Sequence, residues 1–181
     1  MIGWPRSLAW NNFTPIPNPG PAQLRARNGQ PIVALVGLAI RFYPGNSPRN
    51  LQGTAFNTVD VRLEVVSMQY VPSRIPAGQE ARYLRHEQGH FDLMGLFARE
   101  LEVALLALRG STAEELTRLA SSTVEEGIRS ARSYAINVPG IDCLYDQETN
   151  HGMNQRQQNA WNARIAQNIT RASSPGYRFQ M

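Results

Sequence analysis

The chain has 181 residues, 42% hydrophobic and 18% charged, a balance that suits one globular domain with its own core and excludes a disordered protein. Its net charge of +4 comes from arginine alone, because there is no lysine. The arginines are scattered from Arg6 to Arg178 without a basic run, so no nucleic-acid partner is expected.

The first 30 residues are rich in proline, asparagine and glycine and read as an irregular segment held against the domain by Trp4, Trp10 and Phe13. They lack the apolar core of a signal peptide, and the most apolar run, Ile32 to Ile40, is too short to cross a bilayer. Ile32 to Phe42 reads as a buried strand, and a turn-rich stretch from Pro44 to Asn50 leads to a second strand from Val59 to Val71. There Val59, Val61, Leu63 and Val65 alternate with Asp60, Arg62 and Glu64, after which the phase flips to Val66, Met68 and Tyr70. The flip predicts a bulge near Val65.

Pro76 sits where a helix can begin, and Leu84, Phe91, Met94, Leu101 and Leu105 carry its apolar pattern to Arg109, with Gly110 placed to end it. Ser111 and Glu114 read as a capping box opening a second helix, whose apolar face includes Leu116, Ala120, Val124 and Ile128. Pro139-Gly140 breaks it. Tyr145 to Gly152 reads as a polar, turn-like segment. Trp161, Ile165 and Ile169, spaced by four, predict a third helix ending near Arg171, and the tail from Ala172 to Met181 reads as loose.

The first long helix contains His86-Glu87-Gln88-Gly89-His90. Residues four apart share a helix face, so both imidazoles can reach one tetrahedral zinc ion while Glu87 stands beside the open coordination position. Such an ion acidifies a bound water, and Glu87 in that place is a general base that can take its proton. Gly89 inside a helix costs about 1 kcal/mol against alanine, which makes sense where another group must approach the backbone closely. The positions three and six residues after His90 hold Leu93 and Leu96, which removes the metzincin continuation.

A third ligand must come from further along. His151, the only other histidine, is the first choice; Asp146 is the second, and Glu114 or Glu115 the third. Cys143 is a weaker candidate, more in character as a small buried hydrophobe, and being alone it forms no intrachain disulfide. Tyr145 is the candidate donor to a tetrahedral oxyanion. Asp146 could instead orient a ligand through its second ring nitrogen, the usual support of a zinc-bound histidine. Asp92, placed with the supporting shell, lies about 200° around the helix from His90, which turns it away from the metal and towards a neighbouring segment or Arg99.

Leu84-Arg-His-Glu-Gln-Gly-His-Phe-Asp92, Ala98-Arg-Glu-Leu101 and Tyr145-Asp-x-x-Thr-x-His-Gly152, with Leu8-Ala-Trp10 and Phe13 near the start, resemble a bacterial family of predicted secreted zinc-dependent proteases. The resemblance covers nearly the whole chain. It implies a secreted or periplasmic setting and a zincin-like α+β domain with metal on His86 and His90, Glu87 as base and His151 serving the site. The expectation is one zincin-like domain over residues 1–181: a small antiparallel sheet packed on the H-E-x-x-H helix, with two further helices. Its function would be zinc-dependent hydrolysis of a polypeptide substrate. The alternatives are a zinc amidase acting on a non-protein amide and a non-catalytic module that zinc merely stabilises.

Overall fold

Period-two alternation makes strands and period-3.6 alternation makes helices, and both patterns appear where the chain carries them. The computed structural model describes residues 3–20, 31–44, 49–50, 53–132, 134–135 and 138–180. In chain order these form β1 (Thr14–Pro15), β2 (Ala34–Pro44), the short pair β3 (Arg49–Asn50) and β4 (Gly53–Thr54), and β5 (Val59–Tyr70). Helices α1 (Glu80–Ala107) and α2 (Ala113–Arg132) follow. A second short pair, β6 (Tyr134–Ala135) and β7 (Val138–Pro139), leads to α3 (Ile141–Thr149) and α4 (Gln155–Arg171). None of the described helices is long and apolar enough to cross a membrane.

β2 and β5 pair antiparallel along their whole length, from Ala34 opposite Tyr70 to Pro44 opposite Val59. Between Gly37, opposite Ser67, and Leu38, opposite Val65, the register slips and leaves Val66 as the extra residue. This is the predicted bulge. It keeps Val59, Val61 and Leu63 buried on one side of the slip and Met68 on the other, with Val66 68% exposed. The sheet is mixed, not purely antiparallel, because β1 adds to β5 in parallel, Thr14 opposite Gln69 and Pro15 opposite Tyr70. Pro15 has no N–H to donate, and a two-residue edge strand tolerates that loss.

From His86 to Leu106 α1 is buried or half-buried on every side, although it carries charged and polar side chains among the apolar ones. It touches β2, β5, α2, α3 and α4. Phe91, Leu93, Met94 and Leu96 join the larger core with Leu63, Met68 and Trp161, while Leu101 and Leu105 join a second core with Val59, Val61 and Leu116. The N-terminal segment is fastened to α1 as expected. Trp4 donates its indole N–H to Asp92 (3.0 Å), and the Gln88 carboxamide takes Leu8 N–H (2.7 Å) and gives to Arg6 C=O (3.1 Å). Trp10 stacks among Phe13 and Tyr70.

Several boundaries differ from the sequence reading. α1 starts at Glu80, with Pro76 in the preceding turn, and stops at Ala107. Gly110 does not cap it; instead its N–H and C=O pair with Thr54 (2.9 and 2.7 Å). The cap of α2 sits one residue later than Ser111 and Glu114 suggest: Thr112 Oγ1 takes Glu115 N–H (3.1 Å), and the Glu115 carboxylate takes Ser111 N–H (2.8 Å). Among the described residues three α-helices follow α1, not two, because the segment read as a polar turn lies largely in α3. The tail is tied down, since Asn168 Oδ1 takes the Tyr177 hydroxyl (3.2 Å) and Gln180 N–H (3.1 Å). The expected turn at Pro44 to Asn50 falls at 45–48 outside the described residues, as do 21–30 of the N-terminal segment.

Two helix glycines separate propensity from packing. A Cβ on Gly95 would stand 2.2 Å from the Trp4 ring, whereas one on Gly127 of α2 would make ordinary contacts at 3.6 Å with Leu101 and Phe97. Gly127→Ala is therefore expected to stabilise by about 1 kcal/mol, raising the melting temperature by about 2–4 °C. Gly95→Ala is expected to destabilise by about 1–3 kcal/mol. Thermal denaturation of both variants checks this, and equal shifts of the same sign would contradict the packing account.

Candidate metal centre

His86 and His90 leave α1 on the face that meets α3. Their rings lie 4.7 Å apart at 85°, and the His86 ring stacks on Tyr145 at 4.8 Å and 11°. The close approach predicted from Gly89 is that of Tyr145, whose Oη would stand 2.1 Å from a Cβ at this position. α3 then ends in three consecutive left-handed residues, Asn150 (φ 49°), His151 (φ 51°) and Gly152 (φ 80°), which turn the chain back so that the His151 ring faces α3. Gly152 permits this crossing, since a Cβ there would come within 3.1 Å of His86 Cβ.

All three imidazoles converge on Asp146. Its Oδ1 lies 3.1 Å from His86 Nε2, 3.0 Å from His90 Nε2 and 3.1 Å from His151 Nδ1, and the two Nε2 atoms are 3.2 Å apart. His86, Asp146 and His151 offer ligand atoms within 4.8 Å of one another, a group that could hold a metal ion. The donor set fits a small cation on chemical grounds. In a tetrahedral zinc site with bonds of about 2.0–2.1 Å, donors stand about 3.3–3.4 Å apart, close to the separations found here.

The outer partners reinforce this. Gln158 Nε2 donates to Tyr145 Oη (2.7 Å) and Asn162 Oδ1 (2.9 Å), so its Oε1 is the atom that faces His86 Nδ1 at 3.2 Å. Asp142 Oδ1 faces His90 Nδ1 at 2.7 Å. With both Nδ1 positions set against acceptors, a neutral His86 and His90 carry their protons there and turn their Nε2 lone pairs towards each other and towards a carboxylate oxygen. In those tautomers a cation at the centre, a metal ion or protons, would offset the facing lone pairs.

The electrostatics follow. Burial works against a charged His90, but Asp142 and Asp146 outweigh it and pull its pKa well above the ordinary histidine value. Burial pushes Asp146 up, yet the charge of His90 and hydrogen bonds from the three rings hold it well below the carboxylate range. Glu87, 6% exposed, is raised by burial against the lowering pull of His90 and His86. Its carboxylate has no hydrogen bond among the described residues.

The structure thus brings together His86, Glu87, His90, Tyr145, Asp146 and His151. Two assigned roles change. The single O–H of Tyr145 is given to the main-chain oxygen of His86 (3.0 Å), and burial pushes its pKa up to about 12. It positions His86 from beneath and is not free to donate to an oxyanion. Asp92 is not in the shell around the metal ligands, because it takes hydrogen bonds from Trp4 and from Gln88 (3.0 Å each) on the opposite face of α1. Arg99 is not its partner either, bonding Ala172 C=O (2.8 Å) and Glu102. Glu115 is engaged with Ser111 at the start of α2, beside Glu114, and Cys143 takes a contact from Gln147 (3.2 Å); neither is among the converging donors. Sequence reasoning missed Asp142 and Gln158. Asp142 and Asp146 stand four apart, a signal that becomes visible only once the segment is known to be helical.

Comparison with protein-family models, curated proteins and solved structures finds no match. The family resemblance rests on its motifs alone.

Because Asp142 fixes the His90 ring without touching the centre, Asp142→Ala should weaken zinc binding by about 10–100-fold. Asp92→Asn, on the other face, should leave it unchanged. Competition against a chromophoric chelator measures both, and the opposite ranking would show that the site is built elsewhere.

Proposed function

We propose that the chain is a zinc-dependent peptidase, with His86 and His90 as metal ligands and the remaining protein ligand supplied by Asp146 or His151. The observation that carries the reading is Glu87, a residue 6% exposed whose carboxylate has no hydrogen bond among the described residues, beside a convergent set of imidazole and carboxylate donors. Those donors would hold the ion, which when bound would acidify a water to a pKa of about 7 and polarise a carbonyl. Glu87 stands where it would take a proton from the attacking water and pass it to the leaving amine. Gln158 and Asp142 hold the two ligand rings in one tautomer, and Tyr145 shields the back of His86 from water.

One observation favours a second reading. Asp146 Oδ1 lies within 3.1 Å of all three imidazoles, so three histidines and Asp146 together would fill a tetrahedral shell and leave no open position. A closed shell is the mark of a structural zinc. In that case zinc ties α1 to α3 and the chain is a binding module.

Glu87→Gln separates the two. The variant keeps size and most hydrogen bonding, so zinc content and melting temperature should match wild type, while hydrolysis of a mixed peptide library falls by about 10²–10⁴-fold. Equal cleavage by both forms at matched zinc content removes the role of Glu87. No cleavage by wild type across the library supports the structural site.

A further inference from the structure

One cation on the helix that carries the metal ligands, Arg82, meets no acid among the described residues. Arg82 lies one turn before His86 on the same helix face. Its Nε donates to Gly152 C=O (2.8 Å), Nη1 to Gln79 Oε1 (3.2 Å) and Nη2 to Met153 Sδ (3.1 Å). All three acceptors are neutral, and no carboxylate lies within ion-pair distance of Arg82 among the described residues. A guanidinium has five N–H groups, so two stay unused, and the one on Nη2 stands beside a thioether, a weak acceptor. Met153 is 52% exposed, and the Tyr83 hydroxyl reaches only the same sulfur, at 3.8 Å. Arginines elsewhere that meet acids form ordinary pairs, as Arg62 does with Asp60 and Arg178 with Glu100.

We propose that Arg82, with Tyr83 and Met153, forms a subsite for a carboxylate of the bound peptide at the rim of the metal centre; the proposal rests on the peptidase reading above. The anchor on Gly152 C=O ties the guanidinium to the residue that follows His151, whose side chain is 47% exposed. A carboxylate arriving there meets the two free N–H groups and the Tyr83 hydroxyl, with Met153 as the apolar side chain that yields. Planar, charge-assisted recognition of this kind selects a carboxylate over the amide of the same shape. The carboxylate is either that of an acidic side chain or the C-terminal one, and both present the same chemistry.

The test is equilibrium binding to the zinc-loaded full chain carrying Glu87→Gln, which keeps bound peptides intact. Three probes are compared: a capped pentapeptide with a central glutamate, the same peptide with glutamine, and the glutamine peptide with a free C-terminal carboxylate. At least one carboxylate peptide is expected to bind about tenfold or more tightly than the capped glutamine peptide. Whichever gains identifies the source. The advantage should vanish in Arg82→Gln and survive in part in Arg82→Lys. If Arg82→Gln does not fold, the Nε–H resonance of Arg82 reads the same contact, shifting with the carboxylate peptide and not with the capped glutamine peptide. Equal affinities, an advantage that persists without the guanidinium, no binding of any probe, or an unmoved resonance each overturn the proposal. Absence of peptide turnover by wild type would count against the peptidase reading and would leave this binding result standing.

Discussion

Everything around the centre is arranged to hold lone pairs face to face. Two imidazole nitrogens 3.2 Å apart, each about 3 Å from the same carboxylate oxygen, repel one another unless a positive charge lies between them. That constraint explains why the supporting residues are acceptors. Asp142 and Gln158 take the Nδ1 protons and so turn the Nε2 lone pairs inwards. A donor at either place would reverse the tautomer and leave the centre with N–H groups that no metal can use.

α1 bears this load because it is gripped from two sides. On its outer face Gln88 and Asp92 bind the N-terminal segment and Gly95 accepts the Trp4 ring; on the inner face Gly89 accepts Tyr145. The two glycines are thus the points where an aromatic ring lies directly against the helix backbone, and each costs helix propensity in exchange for a fixed position. Tyr145 reaches Trp161 edge-on at 5.5 Å, and Trp161 donates to Glu148 (2.8 Å), so α3 and α4 are joined to each other beside the centre. The left-handed run at Asn150, His151 and Gly152 is strained at its two non-glycine members, and such strain persists where the surroundings demand it. Here the demand is the placement of His151 against Asp146.

Much of this could be read from residues alone, and the rest failed for identifiable reasons. The bulge was visible in the phase change after Val65, and the close approach at Gly89 in the oddity of a glycine within a long helix. His86, Glu87 and His90 stood out because their spacing is itself the geometry. α3 was missed because its nine residues are short for a helix and its polar residues, among them the Asp142 and Asp146 that serve the centre, make it look like a loop. With α3 went Asp142, and the role of Tyr145 was misjudged because a hydroxyl's partner, here the His86 carbonyl, depends on tertiary packing. The tail read as loose since Asn168, which binds it, sits on another element and no local pattern announces that contact.

One metal ion at this centre would join α1 to the α3–α4 segment, a link that we propose. Its most direct test is the anomalous-scattering position of zinc in crystals of the zinc-loaded chain. The account predicts one ion per chain, about 2.0–2.1 Å from both His86 Nε2 and His90 Nε2, with Asp146 or His151 completing the protein ligands. A chain that takes up no zinc, or an ion bound away from His86 and His90, would contradict it.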